Sequence, residues 1–190
     1  NMLIIFGLVT YATKGVSFGA IDPAIPNIFI PKAGRFPMII LWAIIAVVVV
    51  WFIWNKTTFG KNLYAVGGNP EASTVSGISV FKVTMGAFIM AGILYGFGSW
   101  LECLRMVGSG SAAYGQGWDM DAIAACVVGG VSFTGGIGKI SGVVTGVLIF
   151  TSLTYSLTIL GIDTNLQFIF EGIIILAAVT LDCLKYVQKK

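Results

Sequence analysis

Few side chains in this sequence have the types and spacings that could perform chemistry. Cys103, Cys126 and Cys183 show no CxxC spacing and the chain contains no histidine, so we expect no metal or redox site. The run GGIGK at residues 135–139 is too short for a phosphate-binding loop. Neither a Ser-His-Asp set nor a pair of acids at catalytic depth is present. We therefore expect neither an enzyme nor a resident cofactor.

Three acidic residues stand next to or inside apolar segments. Asp119 and Asp121 precede the run that begins at Ala122, and Asp121 is placed to cap a short helix starting there. Glu171 lies within an apolar segment, where a carboxylate is costly unless it meets water or a partner. Two interpretations stay open for Glu171: a polar group lining a pathway, or a helix-end acid that reaches the outer interface.

The polar stretch AVGGNPEASTVSGI, residues 65–78, separates two uncharged apolar runs. Asn69 is a favoured N-cap, Pro70 suits the first helical position and Glu71 complements the positive helix end. Gly77 suits a C-terminal stop, and Gly67–Gly68 permit a sharp turn before the helix. This pattern predicts a helix of about two turns, which must be held by neighbouring spans or by a partner. On the pattern alone, an ordinary capped connector is favoured.

The surrounding elements are those of a membrane protein. Hydrophobic residues make up 57% of the chain, charged residues 10%, and the mean hydropathy is +0.94, beyond an ordinary soluble domain. We predict an all-α integral membrane protein, a polytopic transmembrane helix bundle with one short or broken span, since glycines interrupt that span. The predicted spans, given in chain order, lie at residues 36–54, 83–101, 122–138 (short or broken), 140–162 and 165–181.

The distribution of lysine and arginine predicts the sidedness. Basic residues are retained in short cytoplasmic loops, and they concentrate in residues 55–82, at Lys139 and in the C-terminal tail. These parts are predicted to be cytoplasmic, whereas the loops after Leu101 and Leu160 are predicted to face outside. Residues 14–35, although partly basic, would then form an extended external loop rich in proline.

Small residues recur at a spacing that suits close helix packing. Gly138, Gly142 and Gly146 repeat every four residues, as do Gly92 and Gly96. Because lipid provides no hydrophobic drive for helices to associate, such stripes let backbones approach each other. Tight packing is the favoured interpretation, and a sliding surface beside a pathway is the alternative.

Three segments together resemble one known family. They are TTFGKNLYAVGGNPEASTVSGI at residues 57–78, DMDAIAACVVGGVSFTGGIGKISGVVTGVLIF at residues 119–150, and the ending LDCLKYVQKK. The chain resembles the membrane permease subunits of bacterial ATP-binding cassette importers for monosaccharides, the ribose, xylose and galactose group, and its galactose-type members above all. The likeness covers essentially the whole chain but only the C-terminal part of a family member, so we expect it to belong to something longer.

The resemblance implies a homodimeric permease in the bacterial inner membrane, with a cytoplasmic C-terminus and no nucleic-acid partner. A periplasmic binding protein would deliver the sugar, and two cytoplasmic ATPase subunits, which bind the ATP and Mg²⁺, would drive transport. The polar stretch would be the coupling helix, at about residues 69–77. The positions that match the family's ATPase-docking motif are Gly68, Asn69, Pro70, Glu71, Ala72 and Gly77.

The resemblance also bears on the acidic residues. Asp119 and Asp121 match a family block next to the translocation path, although we favour helix capping by Asp121 over direct sugar contact. Glu171 departs from the family, because galactose-type members often carry Lys there, and it stays a candidate for the pathway.

Two rival functions fit parts of the sequence. In an ion-coupled secondary transporter, Glu171 would carry a proton and the glycine-rich break at residues 129–138 would form the site. In a non-transporting membrane scaffold, the cytoplasmic loop would only recruit a partner.

Overall fold

The structure, a computed structural model, is helical as predicted. It describes residues 2–16, 22, 24–33, 36–107, 110–111 and 114–187. In chain order the elements are α1 (Met2–Thr13), α2 (Ala24–Phe29), β1 (Lys32–Ala33), β2 (Phe36–Pro37), α3 (Ile39–Lys56), α4 (Thr58–Gly68), α5 (Pro70–Val75), α6 (Val80–Arg105), α7 (Trp118–Val128), α8 (Ile140–Ile159) and α9 (Thr164–Val187).

Three helices of the described chain are long and apolar enough to cross a membrane: α3, α6 and α8. They occupy the predicted spans 36–54, 83–101 and 140–162, with different ends. Helix α3 begins later than predicted because Phe36–Pro37 pairs with Lys32–Ala33 as a short antiparallel ladder. Helix α6 is longer than its predicted span at both ends and reaches 26 residues.

The other two predicted spans also correspond to helices. Helix α9 contains the predicted span 165–181, and among the described residues its apolar part covers Leu166–Ala177. In the predicted short span, α7 has 11 residues, about 16 Å at 1.5 Å per residue. The chain then runs without regular structure to Lys139, as expected from its glycines.

The prediction of an extended loop at residues 14–35 is wrong for residues 24–29, which form α2. Asp22 starts this helix, since its Oδ1 accepts a hydrogen bond from the Ala24 amide at 2.9 Å. Pro26 lies in the first turn, where its missing amide hydrogen costs nothing. Residues 17–21, 23 and 34–35 of the predicted loop lie outside the described residues.

The chain divides into two compact units, and the first comprises residues 1–48 and 85–116. Its described part contains an aromatic cluster of Phe29, Trp42, Phe97 and Trp100. The Phe29 and Trp100 rings lie edge to face at 5.2 Å, and Trp42 Nε1 donates to the Phe29 carbonyl at 3.0 Å. Edge-to-face packing and a satisfied indole N–H are the arrangement that such rings favour.

The C-terminal end of α6, in the same unit, carries a polar network. Arg105 Nε donates to both carboxylate oxygens of Glu102, at 2.9 and 3.1 Å, and Arg105 also contacts the Tyr114 hydroxyl at 3.2 Å. The Tyr114 hydroxyl donates to Glu102. This bond to a carboxylate raises the pKa of Tyr114 above its usual value, because the neutral hydroxyl is the donor.

The second unit comprises residues 49–84 and 117–190, and its core lies where α7, α8 and α9 meet. Ala124 and Ala125 of α7 and Phe150 of α8 are buried, and Ile175 of α9 packs against them. The small residues on α7 let α8 approach closely, which is how membrane helices associate.

The glycine stripe on α8 is confirmed at Gly142 and Gly146. A Cβ on Gly146 would lie 2.1 Å from the Ala125 carbonyl oxygen, and one on Gly142 would lie 2.3 Å from that of Gly129. The stripe predicted on α6 is different: a Cβ on Gly92 or Gly96 would meet no described atom within 4 Å. Within the described chain, close packing therefore explains the α8 glycines and not those of α6.

Candidate coupling site

Helix α5 has the capped geometry that the sequence predicts. Asn69 Oδ1 accepts a hydrogen bond from the Ala72 amide at 3.0 Å, and Pro70 occupies the first helical position. Glu71 lies in the first turn and is exposed, where a negative charge complements the helix dipole. The start of this helix is therefore fixed by its own side chains.

The end of α5 is fixed by Gly77. This residue has φ +81°, a left-handed conformation that L side chains rarely adopt. Two backbone bonds close the motif, from the Gly77 amide to Thr74 O at 3.0 Å and from the Ile78 amide to Ser73 O at 2.9 Å. This is the Schellman arrangement, so the predicted stop at Gly77 is confirmed.

Replacing Gly77 with alanine is expected to loosen α5 locally. A Cβ in the left-handed region costs roughly 1–2 kcal/mol, and this helix has only six residues to absorb it. Hydrogen exchange of the α5 amides should accelerate about fivefold or more. Gly172→Ala is the control, since a Cβ there meets no described atom within 4 Å and the backbone needs no positive φ. Equal exchange in both variants would contradict the prediction.

Helix α4, which precedes α5, was not predicted from the sequence. Thr57 caps its start by accepting the Gly60 amide at 3.3 Å. Gly67 and Gly68 are the last two residues of α4, so the prediction that they form a sharp turn is wrong. The chain turns at Asn69 instead, whose extended backbone (φ −156°) ends α4 and begins α5. Asn69 also donates its own amide to Ala65 O at 3.0 Å.

Ser73 also holds the α4–α5 junction together, a structural role that sequence reasoning did not assign to it. The residue is only 4% exposed, and its hydroxyl donates to the Asn69 carbonyl at 2.8 Å. Val75, in contrast, is 89% exposed and lies four residues after Glu71, on the same side of the helix. Helix α5 thus has one face held by the protein and another, carrying Glu71 and Val75, that faces outward.

Helix α4 packs against the glycine-rich segment after α7, residues 129–139, which we call the glycine loop. A Cβ on Gly67 would lie 2.8 Å from Gly136 N, and one on Gly135 would lie 2.6 Å from Gly67 O. The Tyr64 hydroxyl donates to Gly138 O at 2.8 Å. Backbone therefore contacts backbone here, which only glycine permits. The glycine pairs at residues 67–68 and 135–136 were the available sequence signal of this contact, but the sequence does not show that the two pairs meet.

The two aspartates belong to the other end of α7. Asp119 is exposed and Asp121 half-buried, both in the first turn, where acids complement the dipole. The prediction that Asp121 caps a helix starting at Ala122 is wrong. Gly117, at φ +90°, begins the helix at Trp118 without a side-chain cap, and the Asp121 amide already donates to Gly117 O at 3.2 Å. A role for either aspartate in the pathway stays a prediction.

Glu171 lies in α9 by its backbone, but its side chain lies outside the described residues. Neither interpretation of this acid is tested by the structure. The pathway role of Glu171 therefore stays a prediction.

Comparison with known proteins identifies the type of membrane protein. The family model described as branched-chain amino acid transport system / permease component matches residues 1–179. Similar proteins include the galactose/methyl galactoside import permease MglC of Treponema pallidum, 55% identical over the whole chain and 37% of the relative. MglC of Escherichia coli is 51% identical over 82% of the chain and 46% of the relative. The xylose transport permease XylH of Haemophilus influenzae is 42% identical over 77% of the chain and 38% of the relative.

These relatives bear on the predictions made from the sequence. The chain spans less than half the length of these three relatives, and no solved structure matches it. Each relative is a permease named for a sugar, so the resemblance to monosaccharide importer permeases is confirmed. An ion-coupled secondary transporter or a scaffold is not favoured. By its sequence along nearly its full length and by its membrane-type helices, the chain belongs to this family of transport-system permease components.

Proposed function

We propose that this chain is part of the membrane subunit of an ATP-driven sugar importer and that α5 receives the motion of a separate ATPase subunit. The observation that carries the proposal is α5 itself, a helix capped at both ends and attached on one side. Its outward side presents Glu71 and Val75. A helix of six residues is unstable alone, so its complete capping suits a surface that must keep its shape against a partner.

Galactose or methyl galactoside is the proposed solute. The relatives named for these sugars are 51–55% identical, whereas the xylose permease is 42% identical. The family description refers to branched-chain amino acids, but the three sugar permeases support a sugar for this chain. A periplasmic sugar-binding protein that delivers the solute, and a second copy of the permease, complete the proposed assembly.

The basic residues support a cytoplasmic position for α4 and α5. Lys56 and Lys82 flank these helices, Lys61 lies within α4, and all three are exposed. Such residues are retained on the cytoplasmic side. The lysines of the C-terminal tail support, by the same rule, a cytoplasmic C-terminus. The proposed location is a bacterial inner membrane. ATP and Mg²⁺ are assigned to the ATPase subunits, so this chain supplies coupling and passage and no ATP hydrolysis.

Membrane vesicles that carry the permease with its ATPase and binding protein test this function. We expect galactose uptake to require ATP inside the cytoplasmic compartment and the binding protein on the opposite face. Uptake should persist when the proton gradient is collapsed with a protonophore. Uptake driven by a proton gradient in the absence of ATP would contradict the proposal, and accumulation of leucine in place of galactose would contradict the solute.

A further inference from the structure

The contact between α4 and the glycine loop joins parts of the chain that are far apart in sequence. The Tyr64 hydroxyl and the Gly138 carbonyl are 74 positions apart and lie 2.8 Å from each other, partly buried. Beside this bond, a Cβ on Gly136 would lie 2.6 Å from the Gly68 Cα atom. Two backbones in direct contact transmit a displacement, because there are no flexible side chains between them to absorb it.

The glycine loop is itself held in one shape. The Ser132 amide donates to Ile137 O at 3.0 Å, and the Ser132 and Thr134 hydroxyls lie 2.8 Å apart. Ser132 is buried. The loop is therefore closed on itself between the two helices that it connects.

Both ends of the loop continue directly into packed helices. Helix α7 ends at Val128 and α8 begins at Ile140. These helices are in backbone contact, since a Cβ on Gly146 of α8 would lie 2.1 Å from Ala125 O of α7. A displacement of the loop must therefore move α7 and α8 together.

We propose that the contact of α4 with the glycine loop is the mechanical connection through which displacement of α5 reaches the α7–α8 pair, with Tyr64 as the positioning residue. The inference rests on the proposed function of α5. Tyr64 fixes the register of α4 on the loop through its bond to Gly138 O, while Gly67, Gly135 and Gly136 provide the close approach. Tyr64 contacts neither solute nor ATPase in this scheme; it acts through the loop.

The test compares Tyr64→Phe with the unmodified permease in its complex with the ATPase. The phenyl ring keeps the packing and loses only the hydrogen bond. We expect unchanged association with the ATPase and retained ATP hydrolysis. The number of sugar molecules imported per ATP should fall about fivefold, the equilibrium effect of one net hydrogen bond. A lower amount of folded complex would reduce both rates alike and leave this ratio unchanged.

Tyr95→Phe is the matched control, because that tyrosine is 76% exposed and its variant should keep the normal ratio. Gly67→Ala is a second variant; its Cβ would contact the Gly136 amide nitrogen, and it should lower the ratio further. A normal sugar-to-ATP ratio in Tyr64→Phe would overturn this inference and leave the proposed function standing, whether or not Gly67→Ala folds. If the unmodified protein bound no ATPase, the proposed function would fail, and the inference with it.

Discussion

Replacing Gly146 with alanine is expected to disrupt the close packing of α7 and α8 and to lower the stability of the folded permease. The Cβ of Gly146→Ala would lie 2.1 Å from Ala125 O and 2.7 Å from the Gly129 amide nitrogen. Both obstacles are backbone atoms, so no side chain can rotate to make room. The helices must separate, and membrane helices have no hydrophobic drive that would compensate for the lost contact.

The expected size of this effect follows from overpacking in protein cores. Such insertions cost about 1–3 kcal/mol, and Gly146 lies at the upper end because backbone must move. A loss of about 3 kcal/mol lowers Tm by roughly 10 °C in a protein of this size. Thermal unfolding in detergent and the yield of monodisperse protein measure the effect.

Gly142→Ala should behave like Gly146→Ala, since its Cβ would lie 2.3 Å from Gly129 O. Gly96→Ala is the control on α6, where a Cβ meets no described atom within 4 Å. If Gly146→Ala and Gly96→Ala had the same Tm and yield, the described α7–α8 contact would be wrong.

Reversing the charge at Glu71 is expected to abolish ATP-driven uptake without unfolding the permease. The side chain is exposed in the first turn of α5, so its replacement by arginine removes no internal packing. At an interface, however, the arginine would repel the ATPase groups that attract Glu71, so association with the ATPase should weaken at least about tenfold. Uptake of labelled galactose and co-purification of the ATPase measure the two effects together.

Glu71→Asp is the matched control, because it keeps the charge and its place in the first turn. It should retain ATPase binding and most of the uptake. Full uptake by the Glu71→Arg variant, with the ATPase still bound, would show that this face of α5 is not the contact surface.

The local parts of the candidate site could be predicted from the sequence because they depend on neighbouring residues. Asn69 and Gly77 specify the start and end of α5 through hydrogen bonds that span at most five positions. Pro70 contributes by occupying the first helical position. Capping rules apply whatever the rest of the chain does. The long apolar runs likewise predicted α3, α6 and α8, since length and composition decide whether a helix can cross a membrane.

The remaining parts depend on contacts between distant segments. Helix α4 contains Gly60 in its first turn and Gly67 and Gly68 at its end. Because glycine is a poor helix former, propensity argues against this helix. Packing compensates, because Gly60 lies against the Trp54 backbone and Gly67 against the glycine loop. A single sequence does not show which of its glycine pairs meet.

The start of α7 shows a different limit of prediction from the sequence. Asp121 has the side chain of a favoured N-cap, yet Gly117 begins the helix through its left-handed backbone. Capping rules rank aspartate above glycine as an N-cap, so they favoured Asp121 and gave no sign of the left-handed backbone at Gly117.

The most direct test of α5 as the coupling helix is cross-linking from its outward face. Cys103, Cys126 and Cys183 are first replaced by serine, and Val75→Cys then provides a single thiol at a position that is 89% exposed. A short bifunctional reagent should link this thiol to the ATPase subunit. Ile159→Cys, 69% exposed at the end of α8, should give no such product. Labelling of position 75 by a membrane-impermeant reagent from the periplasmic face, with no ATPase adduct, would contradict the proposed coupling.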